Sequence, residues 1–186
     1  MTDPWEVIQT LQKAQVRFVL MGTHGIGGYR SEPRATQDVD VLVTKKDHAR
    51  AIHALREAFP KLQVFDTRVV TRFKESDSAP SVIDVMKPTQ DIFRVAFRNS
   101  VTVQESYRIP TLEMALASKF AAMTSPNREY EKKLIDGGDF VNIVKKNHAE
   151  LDLKKLGSLG DRVYPKGGME LLKMVADVIA GKRIDF

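Results

Sequence analysis

The sequence predicts an α+β fold: strands and helices mixed to about residue 108, followed by a helical C-terminal half. Three observations predict it. Two short apolar runs, "VRFVLMG" at 16–22 and "DVDVLV" at 38–43, read as buried strands on either side of a glycine-rich segment. From Leu62 to about Glu105 the texture is β-branched and alternating. After Thr111 the apolar residues recur at helical spacing to the end. The expected organisation is an α/β core over 1–108 and a helical region over 109–186.

Asp3 followed by Pro4 reads as a helix cap and first helical position, with Val7, Ile8 and Leu11 on one face to about Lys13. Strands 16–22 and 38–43 follow. "TKKDHARAIHALREAFP" is an amphipathic helix with Thr44 as cap, Pro60 past its end, and Ala51, Ile52, Leu55 and Phe59 facing the core. "LQVFDT", "VVTRFKE", "SVIDVM", "DIFRVAF" and "SVTVQES" read as strands. Ile109-Pro110-Thr111 marks a boundary, with Thr111 capping "LEMALASKFAAMT" and Glu113 favouring its first turn. "SPNREYEKKLIDGGDFVNIVKKN" is helical. Gly137-Gly138 in its middle is poor helix sequence and reads as a break or as a place of close approach. "AELDLKKLG" is a short helix or turn. The last helix carries Leu171, Leu172, Val175 and Ile179 at core spacing.

Composition narrows the chemistry. The 186 residues are 42% hydrophobic and 28% charged, an ordinary globular balance. No apolar run approaches the roughly 20 residues needed to cross a bilayer. The opening "MTDPWEVIQT" has neither the basic flank nor the apolar run of a secretory signal, so a cytoplasmic location without membrane attachment is expected. The absence of cysteine removes disulfides, thiolate nucleophiles and most structural zinc sites. A net charge of +5 and a pI of about 9.4 favour anionic partners such as nucleotides, phosphates or RNA, or simply keep the chain soluble.

The informative stretch is "MGTHGIGGYRSEPRATQDVDVLV". Side chains alternate across a strand, so Asp38 and Asp40 share a face, their Cα atoms roughly 6.5 Å apart at about 3.3 Å per residue. Two such carboxylates repel and resist burial, and a divalent cation relieves both problems. Asp84 lies between Val82-Ile83 and Val85-Met86 in a neighbouring strand and is placed to be a third ligand. Gly22 lets backbone N–H groups approach a phosphate, and the Thr23 hydroxyl can bond it. Arg34 and Thr36 precede the acids. Arg34 can meet an anionic substrate or pin the loop. Other phosphate loops fail: Gly28 stands where a P-loop needs lysine, and Gly25 and Gly27 are followed by Arg30 with no helix expected after the turn. His48 and His53, five apart, fall on different helix faces, and His24 reads as a loop residue making local hydrogen bonds.

These residues resemble the polymerase-β-type nucleotidyltransferase superfamily: an apolar strand, Gly-Gly or Gly-Ser, a spacer, then D-x-D. The R-x-T-x-D-x-D form (Arg34, Thr36, Asp38, Asp40) is similar to the branch of AbiEii-type toxins and their uncharacterised relatives. Asp84 in "VIDVM" takes the place of the third carboxylate. Lys119 in "IPTLEMALASKFAAM" matches the helix lysine, and Asp136 and Asp139 match a later D-x-x-D. The match covers about residues 16–145, with Thr23 standing where the family usually has Gly or Ser.

The resemblance implies a nucleotidyltransferase-type mixed β-sheet flanked by helices, two Mg²⁺ ions on Asp38, Asp40 and Asp84, and an NTP substrate. Gly22 and Thr23 would meet the β/γ-phosphates. Lys119, Arg34, Thr36, Asp136 and Asp139 would contribute to nucleotide binding. The acceptor would be RNA, a protein or a small hydroxyl compound, and an antitoxin partner or a phage-defence role comes with the branch. The alternative is a catalytically inactive nucleotide- or RNA-binding protein on the same fold.

Overall fold

The computed structural model describes residues 2–104 and 106–185; Met1, Glu105 and Phe186 lie outside the described residues, so the strand expected over 100–106 is described only in part. The chain divides into two compact units. One comprises 2–26 and 34–110, the other 27–33 and 111–185.

The first unit holds α1 (Pro4–Lys13), β1 (Phe18–Leu20), α2 (Gly22–Ile26), β2 (Val39–Val43), α3 (His48–Ala58), β3 (Gln63–Asp66), β4 (Val70–Lys74), β5 (Ser81–Met86), α4 (Asp91–Arg94), β6 (Ser100–Val103) and β7 (Tyr107–Pro110). The main sheet has the order β1-β2-β5-β4-β3, with β2 and β5 parallel and the other neighbours antiparallel, and β6 pairs β7 as a separate hairpin. Asp3 caps α1 by accepting from the Trp5 N–H, and Val7, Ile8 and Leu11 are buried as the period requires. These residues join Ala51 and Leu55 of α3 over the sheet face formed by Phe18, Leu20, Val39, Val41, Val43, Phe73, Ile83 and Val85. Alternation then sends Asp40, Asp84 and Arg72 to the opposite face.

Four local expectations change. "GTHGI" is a short helix rather than a loop: β1 stops after three residues because Gly22 adopts φ +55° and turns the chain into α2. The helix expected from Thr44 begins at His48, because the Thr44 hydroxyl and the Asp47 carboxylate bond each other (2.7 Å) and hold 44–47 as a turn. "DIFRVAF" is not a strand. It forms α4 and the turns after it, with Ile92, Val95 and Ala96 buried at helical spacing. Conversely, Tyr107–Pro110 is a strand, closing a hairpin on β6.

The second unit holds α5 (Leu112–Thr124), α6 (Tyr130–Asn147), α7 (Leu153–Gly160) and α8 (Gly167–Ile179), with 3-10 turns at Gly27–Tyr29 and His148–Glu150. Thr111 caps α5 by accepting from the Met114 N–H. Helix α6 runs unbroken through Gly137-Gly138, contrary to the expected interruption. Each glycine costs about 1 kcal/mol relative to alanine, and the burial of Phe140, Ile143 and Val144 along the same helix offsets that cost. Gly168 lets α8 start hard against α7, since a Cβ there would lie 2.3 Å from the Gly157 carbonyl oxygen. Leu171 and Val175 are buried, whereas Ile179 is exposed.

Candidate active site

The parallel register of β2 and β5 sets Asp40 directly opposite Asp84. Both sequences reach that point by the same logic: Val39, Val41, Ile83 and Val85 take the buried core face, which leaves the acids on the other. Asp38 lies just ahead of β2 and accepts a hydrogen bond from the Thr36 hydroxyl. Asp84 accepts from the Ser81 hydroxyl, and Arg72, its cross-strand neighbour on β4, brings Nε to 3.8 Å from its carboxylate.

Gly22 closes the other side. A Cβ at this position would fall 1.9 Å from Asp40 Oδ2, so the backbone at the start of α2 lies against the carboxylate at a distance no side chain permits. The next residue, Thr23, receives a hydrogen bond from the Arg34 guanidinium. His24, also on α2, bonds the Asp38 backbone. Burial pushes its imidazole pKa down, while the Asp38 charge acts in the opposite direction.

Lys119, Asp136 and Asp139 belong to the helical unit and form a cluster there. The Lys119 ammonium lies 2.8 Å from Asp136 and 2.7 Å from Asp139. Arg128 bonds Asp136 at 2.9 and 3.0 Å, and Arg30 pairs with Asp139. All three residues named by the sequence are buried.

Among the described residues, no group of three or more His, Cys, Asp or Glu side chains is arranged to hold a metal ion unaided. The facing pair Asp40 and Asp84 supplies hard oxygen donors of the kind Mg²⁺ takes. That ion commonly uses one or two carboxylates and completes its shell with water and substrate phosphate. The donor set therefore fits Mg²⁺ held jointly with a phosphate.

No family model and no curated protein matches the sequence. Solved structures do. JHP933 from Helicobacter pylori superposes with a TM-score of 0.58 at 15% identity, over 95% of this chain and 89% of that one. The antibiotic-resistance factor ANT(2'')-Ia gives 0.55 at 13% identity, over 83% and 85%. An antigenic nucleotidyltransferase-like protein from Paracoccidioides brasiliensis gives 0.50 at 14% identity, over 90% and 89%. The chain has the nucleotidyltransferase fold. On this nucleotidyltransferase fold, two side chains around the acids escaped the sequence reading: Ser81 and Arg72. Strand pairing brings Arg72 to Asp84, and no local pattern announces it. His24 was visible as a residue on the segment before the D-x-D, but only the helical turn of α2 brings it to Asp38.

Proposed function

We propose that this chain is a Mg²⁺-dependent nucleotidyltransferase, moving a nucleotidyl group from an NTP to a hydroxyl or phosphate acceptor in the cytoplasm. The observation that carries it is the Asp40–Asp84 pairing against the Gly22 backbone. Asp38, Asp40 and Asp84 would hold the metal. Bound there, Mg²⁺ supplies charge neutralisation for the triphosphate and the departing pyrophosphate. Asp84 would accept the proton of the attacking acceptor hydroxyl. The Gly22 backbone and Thr23 hydroxyl would bind the β/γ-phosphates, Arg34 would balance their charge, and Thr36 would orient Asp38. We assign Lys119, Asp136 and Asp139 to cohesion of the helical unit, because their charges already face one another in a buried cluster.

Small hydroxyl compounds, protein side chains and RNA are all acceptors of suitable chemistry. ANT(2'')-Ia has been solved with adenylyl-2''-tobramycin, which supports a small hydroxyl compound, and the net charge of +5 supports RNA. A place in a toxin–antitoxin or phage-defence pair follows from the AbiEii resemblance and is tested by the neighbouring gene. One observation favours a non-catalytic nucleotide binder: Arg72 and Ser81 already engage Asp84 and would compete with a cation.

Incubation with Mg²⁺ and labelled NTPs, with and without total RNA, separates the two. Pyrophosphate release by the wild type and not by Asp40→Ala or Asp84→Ala supports the enzyme. Nucleotide binding that needs no metal and survives both substitutions establishes the binder.

A further inference from the structure

On the sheet face away from Asp40 and Asp84, helix α3 and strands β3 and β4 leave a groove of about 420 Å³. Thr71, on its floor, pairs with Val85, whereas the next residue, Arg72, pairs with Asp84. Alternation therefore puts the groove and the carboxylates on opposite faces. His48, His53 and Arg56 of α3 border the groove, so the two histidines expected on different helix faces share one cleft. Residues five apart on a helix are about 500° around, or 140° after one full turn. A broad cleft beside the helix reaches both.

Charge decides what such a cleft can take. Its one acid is Asp66. Lys87 bonds both Asp66 oxygens, at 2.7 and 3.0 Å, and the buried Thr71 hydroxyl donates to the same carboxylate. Lys87 thereby offsets the charge of Asp66, although that carboxylate remains largely exposed. With the Thr71 proton committed to Asp66, its oxygen accepts from His48 Nε2 at 2.9 Å, which fixes the His48 tautomer and orients the ring as a wall of the groove. His53 faces only the exposed Glu57 at 3.7 Å, a weak surface contact. Arg56 has no ion-pair partner among the described residues. The cleft therefore presents uncommitted nitrogen donors beside an apolar surface of Ile52 and Val64.

We propose that this groove is a second ligand site that takes a phosphate group carried on an organic body, with Arg56 and His53 as the donors. An Arg fork suits a phosphate's paired oxygens, and Ile52 and Val64 accommodate the attached sugar or base. The site is independent of the nucleotidyl-transfer reading, because it shares no residue with it.

The test uses the histidine side-chain ¹H–¹⁵N signals of the full chain. The wild type and the double variant His53→Gln/Arg56→Gln are titrated separately with inorganic phosphate, a mononucleotide and a short single-stranded RNA. Both substitutions are at exposed positions and preserve the fold. Saturable shifts of the His48 and His53 signals in the wild type are expected, with the His48 shift weakened about tenfold or more in the variant. RNA acting at lower concentration than the mononucleotide identifies a polynucleotide as the source, and the reverse identifies a free nucleotide. If no probe moves these signals at millimolar concentration, or the variant titrates like the wild type, the site does not exist. Asp40→Ala leaves the titration unchanged, so failure of the active-site reading is read separately.

Discussion

Asp40 and Asp84 are register partners in the parallel β2–β5 pairing, so two half-buried carboxylates lie side by side on adjacent strands. Like charges placed directly opposite cost about 0.2–1 kcal/mol, and a divalent cation turns that cost into a binding determinant. Asp40→Asn is therefore expected to raise stability in chelator by up to about 1 kcal/mol and to abolish stabilisation by Mg²⁺. Urea titrations with and without Mg²⁺ check both halves. Equal stabilisation of wild type and variant by the ion would remove Asp40 from the metal site.

Gly22 is the position where backbone and carboxylate meet. Gly22→Ala forces a side chain into φ +55° and places Cβ 1.9 Å from Asp40 Oδ2. The backbone strain alone is about 1–2 kcal/mol, and the displaced carboxylate should weaken the response to Mg²⁺. Gly27→Ala, where nothing lies within 4 Å, is the control, expected to change stability by less than about 0.5 kcal/mol. Equal loss in both would show that the crowding at Gly22 is immaterial.

Lys119 sits between Asp136 and Asp139 with only 7% of its surface exposed. Lys119→Met removes the cation the two buried acids share while Arg128 and Arg30 still pair them, so the cost should fall below the roughly 3–5 kcal/mol of a buried charge left without any partner. Chemical denaturation without nucleotide should show that loss. Unchanged stability with weakened NTP binding would instead return Lys119 to the triphosphate.

Asp47 gives an acid-dependent signature. Burial pushes its carboxyl pKa up. The Thr44 hydroxyl, the Arg17 N–H, Arg50 and Lys46 outweigh burial and hold it below the usual range. Because the folded pKa is depressed, its contribution is present in full above the unfolded value of about 3.9. It fades as pH falls below that value toward the folded one. The stability gap between wild type and Asp47→Asn should stay constant from neutral pH to about pH 5 and shrink below about pH 4. A gap independent of pH throughout would contradict this.

Much of the first unit was legible because its signals are local. Asp3-Pro4 before Val7, Ile8 and Leu11 specifies α1, and Thr111 specifies the start of α5. Of the D-x-D, Asp40 was legible as a strand residue, whereas Asp38 lies just ahead of β2 rather than on it, and the meeting of Asp40 with Asp84 is fixed by the parallel register. What failed was decided by tertiary contact. Residues 91–97 carry Ile92, Phe93, Val95 and Phe97, all favourable to strands, yet the burial of Ile92 with Val95 and Ala96 selects a helical turn. Gly137-Gly138 looked like a break, and packing on both sides carried the helix through. Of the Lys119 cluster, the sequence named Lys119, Asp136 and Asp139 but not the arginines, since Arg30 enters it from 109 residues away in sequence.

That last separation bears on how the chain is made. Residues 27–33 belong with the helices: Lys146 bonds the Gly28 and Arg30 carbonyls, Asn147 bonds the Tyr29 carbonyl, and Asn142 bonds Ser31 twice. On the ribosome this segment emerges long before α6 exists to receive it. Early synthesis therefore leaves an unsheltered stretch between Gly22 and the acids Asp38 and Asp40. The helical unit, for its part, cannot finish folding from its own contiguous sequence. A cut at 110/111 leaves the first piece with all the residues of its own unit but deprives the second of 27–33, so the helical unit should fold well only when made as one polypeptide with the residues before it.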